Sequence, residues 1–222
     1  MATRTIFWFR RDLRLADNPA LAQAVENGDE VVGVFILDPK LIGEAGSKRL
    51  AYLGASLRAL DESMGANLHI MVGDQVDVLK DLMARYKATE VHISQEFEPY
   101  GAARDARVEK AGINLIKTGS PYAVSPGRVV KPTDGTPYKV YTPFYKAWCI
   151  HGWRKPVSAP KNIAWVKPTK ADRSFPDWGP SLIPAGEAQA HKRWSEFKKR
   201  ALNSYDEARN IPGIDGTSKL SH

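Results

Sequence analysis

The sequence predicts a doubly wound, Rossmann-like α/β fold on a parallel five-stranded sheet. Three observations lead there. Five short, continuous apolar runs fall within the first 120 residues, helical apolar patterns lie between them, and capping signals sit at the junctions. Runs of this kind suit parallel strands covered on both faces. Strands alternating with helices and joined by right-handed crossovers give the doubly wound arrangement.

The elements follow in order. Thr5–Phe9 (TIFWF) is the first strand. Asn18 caps a helix with Pro19 at its first position, and Gly28 ends it. Val31–Leu37 (VVGVFIL) is the second strand. A long helix begins at Ser47; Leu50, Leu53, Leu57, Leu60 and Met64 form one stripe, and Gly65 stops it. Leu68–Val72 is the third strand. Asp74 caps a helix that turns Val78, Leu79, Leu82 and Tyr86 inward. Glu90–Ser94 is the fourth strand, residues 101–111 a weaker helix, and Ile113–Lys117 the fifth strand.

Beyond residue 120 the character changes. Asp134-Gly135 is a turn signal between two short extended pieces. A short helix with Phe144, Trp148 and Ile150 follows. Residues 151–185 carry six prolines and read as an extended connection laid over another surface. Helical spacing returns over 186–208, with Trp194, Phe197, Ala201, Leu202 and Tyr205 on one side.

Composition sets limits on function. Of 222 residues, 43% are hydrophobic and 26% charged, a globular balance rather than a disordered one. No apolar run is long enough to span a bilayer, and the N-terminal stretch lacks a signal-peptide pattern. The single cysteine, Cys149, cannot form an internal disulfide and is expected as a buried small apolar residue. A reducing, cytoplasmic location and no membrane partner are expected. The net charge of +7 is uneven, since residues 101–200 hold 19 basic against 7 acidic side chains. That half suits either a polyanion partner or a solvated lysine-rich surface.

The usual phosphate-cradling loops GxGxxG and GxxxxGK[ST] are absent, as are HExxH, CxxC and GxSxG. No metal site is expected, and His69 and His92 read as packed or surface residues of strands rather than ligands. In doubly wound sheets ligands bind beyond the carboxyl ends of the strands. Here those ends carry Arg10, Arg11, Asp12 and Arg14, then Asp38 and Pro39, then Gln95, Glu96, Phe97, Glu98 and Tyr100. The loop RRDLRLADNP is either an ion-paired corner tied by Asp12 and Asp17 or the edge of an anion or cofactor site. Near the end of the chain, Thr217, Ser218 and Ser221 cluster after a glycine-bearing turn. Such hydroxyls suit a diphosphate, although taken alone the segment is more often a helix N-cap.

Taken together, FWFRRDLRLADNPAL, VFILDP, RLAYL (49–53), EFEPYGAARD (96–105), GTPYKVYTPFYKAW (135–148) and YDEARNIPGIDGTSKLS (205–221) resemble the photolyase/cryptochrome family of flavoproteins. The resemblance is to the N-terminal half of class I cyclobutane pyrimidine dimer (deoxyribodipyrimidine) photolyases. It implies an α/β antenna-chromophore domain over 1–132, an interdomain connection over 133–185, and the start of an α-helical FAD-binding domain over 186–222. It implies a carbon–carbon lyase that repairs ultraviolet-damaged DNA by blue-light-driven electron transfer from reduced FAD. A lesion extruded from the duplex is its substrate.

By the same resemblance Tyr205, Thr217, Ser218, Leu220 and Ser221 contact FAD, and Arg209 contacts the DNA backbone. Lys219 and Asn210 depart from the arginine and aspartate more usual at those places. Phe35, Leu37, Asp38, Arg49 and Glu96 line the antenna pocket. Tyr100-Gly101 replaces the Asn-Glu pair of folate users, which favours 8-hydroxy-5-deazaflavin, or a flavin in the same pocket, over methenyltetrahydrofolate. Members are about twice this length, so the chain alone is expected to hold FAD poorly, to carry no catalytic residue and to repair no DNA. Its last turn is expected to fray, and a monomer is expected. The alternatives are a cryptochrome-type photoreceptor and a non-enzymatic nucleotide- or flavin-binding α/β module.

Overall fold

The computed structural model describes residues 2–220. Five parallel strands, β1 (Arg4–Phe9), β2 (Glu30–Leu37), β3 (His69–Val72), β4 (Ala88–Ile93) and β5 (Leu115–Lys117), form one sheet in the order β3-β2-β1-β4-β5. The chain runs outward from β1 to β2 and β3, then returns to place β4 and β5 on the other side of β1. That is the doubly wound order, with its reversal between β1 and β4. The helices are α1 (Pro19–Asn27), α2 (Pro39–Glu44), α3 (Ser47–Ser63), α4 (Gln75–Tyr86), α5 (Pro99–Lys110), α6 (Tyr141–His151), α7 (Glu187–Arg200) and α8 (Tyr205–Ala208). Among the described residues, no helix is long and apolar enough to cross a membrane.

The caps act as the sequence suggests. The Asn18 side chain accepts from the Leu21 N–H at 3.1 Å, with Pro19 following, and Asp74 accepts from the Val76 N–H at 2.9 Å. Lys87 closes α4 in a left-handed conformation, a residue type with a Cβ where glycine is usual. The strand period of two sorts the apolar residues onto both faces of the sheet. Ile6, Trp8, Val32, Val34, Ile36, Val91 and Ile93 share one core with Val78, Leu79, Leu82 and Val108 of α4 and α5. Phe7 and Phe9 alternate with them, stacked edge to face at 4.5 Å.

The chain divides into two compact units. One holds the residues up to Gly43 with Asn67–Ser174; the other holds Glu44–Ala66 with the residues from Phe175 on. The proline-rich stretch up to Ser174 lies on the first unit through main-chain hydrogen bonds. Asp17 N–H donates to Val157 O at 2.7 Å, Val31 N–H to Ala164 O at 2.9 Å, Val166 N–H to Val31 O at 2.9 Å, and Ser174 N–H to Ile70 O at 3.0 Å. Its end is clasped by Asp172, a 1% exposed carboxylate bound by Arg85 at 2.9 and 3.2 Å, by the Tyr86 hydroxyl at 3.2 Å, and by both the N–H and hydroxyl of Thr169.

Two local expectations differ. Cys149 is exposed, because α6 buries none of its residues and Cys149 has no apolar layer to enter. The helical run expected over 186–208 breaks after Arg200 into a 3-10 turn (Leu202–Ser204) and the short α8. Phe197 alone of its five apolar positions is buried, with Trp194 and Tyr205 rings each 5.8 Å from it.

Candidate functional site

The reversal point between β1 and β4 is closed by charge. Arg10, at the end of β1, has a side chain 5% exposed and pairs with Glu96 at 3.3 Å and Asp105 at 2.5 Å, while donating to Ser94 O. Arg104 from α5 reaches the same two carboxylates, Glu96 at 3.2 Å and Asp105 at 3.1 Å. The two guanidinium groups lie 5.2 and 4.8 Å from the centre of the Trp8 ring. Burial, and then the nearby Arg104, lower the Arg10 pKa from its ordinary value. The first arginine loop is thus the ion-paired corner. Arg11 pairs with Glu98 at 2.6 Å and Arg14 with Asp17 at 3.5 Å. Asp12 departs from expectation, accepting the Ser94 hydroxyl at 2.6 Å and the Arg10 N–H at 3.4 Å instead of an arginine side chain.

Glu96, expected at the antenna pocket, is therefore held in this cluster with a side chain 9% exposed. Gly101 makes room for it, since a Cβ at Gly101 would stand 2.9 Å from the Glu96 Cβ. The Tyr100-Gly101 pair thus has a structural use on both residues, because the Tyr100 hydroxyl donates to Asp38.

Asp38 ends β2 and gathers the polar groups of this rim. Besides Tyr100 it accepts from the Gln75 amide at 2.7 Å and the Lys40 N–H at 2.9 Å. Arg107 in turn binds Gln75 at 2.5 Å and Asp74 at 2.6 Å. Burial pushes the Asp38 pKa up, but the hydrogen bonds from Tyr100, Lys40 and Gln75 outweigh it and leave a net lowering. Burial and the Asp38 carboxylate push the Tyr100 phenol up to about 12. At neutral pH the pair is a carboxylate accepting from a neutral phenol. Leu37 is buried and Phe35 half-buried beneath this rim. Phe35, Leu37, Asp38 and Glu96 all come from the carboxyl ends of β2 and β4. Arg49 belongs to the second unit, where with Lys48, Tyr52, Ser181, Leu182 and Ile183 it lines a groove of about 360 Å³. Gln75 and Arg107 were not foreseen, because each binds its partner across more than 30 residues of sequence.

The hydroxyl segment lies in the second unit. Asp215 is gripped by Arg193 at 2.8 Å and Lys219 at 2.8 Å, which lower its pKa strongly in that order. Arg193 also donates to Thr217 O at 3.0 Å and to Ser218 O at 2.9 Å. Gly216 lets the turn approach α8: a Cβ there would meet the Ala208 carbonyl carbon at 3.2 Å. The Ser218 hydroxyl accepts only the Leu220 N–H, at 3.5 Å, and the Thr217 hydroxyl has no protein partner among the described residues. These two oxygens fit a diphosphate, and the nearby Arg193 and Lys219 share one carboxylate, Asp215, which leaves net positive charge beside them. Tyr205 begins α8 and Arg209 caps its end, the guanidinium 5.8 Å above the ring. Ser221 lies outside the described residues. Arg193 and Lys219 also border a cavity of about 340 Å³ with Tyr52, Ile183, Gln189 and Glu196. No sequence signal marked Arg193, which sits in a helix rich in exposed charge.

The DNA photolyase family model matches residues 5–161. An uncharacterised 31.6 kDa protein of Synechococcus sp. PCC 6716 is 37% identical over 97% of this chain and 82% of its own length. A deoxyribodipyrimidine photo-lyase of another Synechococcus strain (PCC 6301) is 34% identical over the whole chain and 50% of its own length. The crystal structure of a bacterial class III photolyase from Agrobacterium tumefaciens superposes with a TM-score of 0.80 at 30% identity, over 100% of this chain and 50% of that one. The chain thus spans about half the length of the photolyases it matches.

Proposed function

Because the chain belongs to the DNA photolyase family, we propose that it is the N-terminal, light-harvesting part of a deoxyribodipyrimidine photo-lyase. The observation that carries this reading is similarity along nearly all of this chain to half the length of proteins of that name, joined to a rim of polar groups at the carboxyl ends of the strands. The whole enzyme repairs cyclobutane pyrimidine dimers in ultraviolet-damaged DNA. FAD, when bound, supplies the electron that splits the dimer under blue light. We assign residues 1–132 to the antenna-chromophore domain, 133–185 to the interdomain connection and 186–222 to the start of the FAD-binding domain. A cytoplasmic monomer is part of the same reading.

Each residue has a stated task. Asp38 presents a carboxylate to the antenna chromophore, held in place by Tyr100 and Gln75. Phe35 and Leu37 supply the apolar floor. Glu96 keeps the end of β4 in register through Arg10 and Arg104. For FAD, the Thr217 and Ser218 hydroxyls meet the diphosphate, with Tyr205, Leu220 and Ser221 beside them. Arg193 holds the turn in shape from behind. Arg209 meets a DNA phosphate.

The antenna is 8-hydroxy-5-deazaflavin rather than methenyltetrahydrofolate. Tyr100 and Gly101 support this, since they stand where folate users carry an Asn-Glu pair and offer no amide or carboxylate of their own to a pterin. Reconstitution of the purified protein with each compound tests the assignment. Deazaflavin retained through gel filtration gives a blue absorption band. Retention of folate alone would overturn the reading.

A further inference from the structure

The amide of Gln75 links two charged groups that lie far apart in the sequence. Gln75 opens α4 and is 3% exposed, so its amide has little access to water. Its Nε2 donates to Asp38 Oδ2 at 2.7 Å, and its Oε1 accepts from Arg107 Nη2 at 2.5 Å. The partners force this orientation, because an ionised carboxylate only accepts and a guanidinium only donates. Turned over, the amide would set oxygen against oxygen at Asp38 and nitrogen against nitrogen at Arg107.

Arg107 is fixed at a second point. It stands in the last turn of α5, and its Nη1 binds Asp74 Oδ2 at 2.6 Å. Asp74 in turn caps α4 through the Val76 N–H. Half of the Arg107 side chain is in water, so the ion pair with Asp74 adds little by itself. The planar fork adds more, since one arm holds the cap of α4 and the other holds the first side chain of the same helix. Gln75 Oε1 has no other donor among the described residues. Without Arg107 this buried oxygen is unpaired, and the side chain satisfies it only by leaving Asp38.

We propose that Arg107 is a positioning residue for the Asp38 carboxylate and acts on it through the Gln75 amide. Helix α5 then supports Asp38 twice, directly through Tyr100 near its start and through Gln75 from Arg107 near its end. Asp38 so held stays ionised, and the group it takes from a ligand is a hydrogen-bond donor, a hydroxyl or a ring N–H. That this ligand is the antenna chromophore rests on the function proposed above.

The test reads Asp38 itself. Its side-chain carboxyl is titrated by carbon NMR in the wild type, Arg107→Ala, Gln75→Leu and the double variant. Burial raises the wild-type value, and the bonds from Tyr100, Lys40 and Gln75 bring it below the ordinary one. Each single variant raises it, and the double variant raises it no further than Gln75→Leu does. At neutral pH, Arg107→Ala also moves the Gln75 side-chain amide protons toward the positions of free amides. It weakens deazaflavin binding about tenfold. Shifts that add in the double variant overturn the proposal, because Arg107 then acts as a charge through space. An Asp38 titration that Arg107→Ala leaves unchanged also overturns it. Thermal midpoints verify folding, and Gln75→Met takes the place of Gln75→Leu if the latter does not fold. A wild type that takes up no deazaflavin overturns the antenna reading, while the titrations still decide the role of Arg107.

Discussion

Replacing Asp172 by alanine should release the proline-rich segment from the edge of β3. The carboxylate is 1% exposed and takes both Arg85 bonds, the Tyr86 hydroxyl, and the Thr169 N–H and hydroxyl, all five between 2.7 and 3.2 Å. Removing one partner of a buried ion pair costs about 3–5 kcal/mol. Arg85 keeps 35% of its side chain in water, so its loss is screened and the cost falls to about 2–3 kcal/mol. The effect is local, because the segment's other anchors, at Val157, Ala164 and Val166, lie upstream. Amide hydrogen exchange is the assay. The Ser174 N–H, bonded to Ile70 O at 3.0 Å, should exchange about 30- to 150-fold faster in the variant.

The pH dependence has a definite sign. Burial raises the Asp172 pKa, but the Thr169 hydroxyl and N–H and then Arg85 outweigh it, so the folded value is lowered. A lowered carboxylate pKa contributes stability that is complete above the unfolded value near 4 and is lost as pH falls through the folded value. The wild-type segment should therefore loosen below about pH 4, and the alanine variant should show no such change. Unchanged exchange at Ser174, or an equal acid response in both proteins, refutes the clasp.

Three further outcomes follow from the same geometry. Tyr100→Phe should remove the tyrosine that titrates near 12 from the ultraviolet pH titration, and should weaken deazaflavin retention severalfold by loosening Asp38. Gly101→Ala should destabilise the first unit by about 1–3 kcal/mol through overpacking against Glu96, measured as a lowered thermal midpoint; an unchanged midpoint would show that α5 shifts freely. Cys149 should react with a thiol reagent as fast in the native protein as in urea, because it is exposed; marked native protection would contradict the open α6 surface.

The strands and the two capped helices were legible because their signals are local. A run such as VVGVFIL has one stable use, and Asn18-Pro19 or Asp74 satisfies N–H groups two or three residues away. The polar rim at the strand ends was half legible. Asp38 and Glu96 could be placed at strand ends by counting, but their partners could not.

What the sequence by itself determined is the alternation of strand and helix, hence a doubly wound sheet, and the family to which its motifs belong. Only the tertiary structure decided how the charges are used. It spends Glu96 on Arg10 and Arg104, makes Asp38 the acceptor of Tyr100 and Gln75, and sets Arg193 behind Thr217 and Ser218. It also leaves Cys149 and the rings of α6 in water. Local patterns follow from bonds between near neighbours. Ion pairs form between residues as far apart as Arg10 and Asp105, and only the sheet order brings these together.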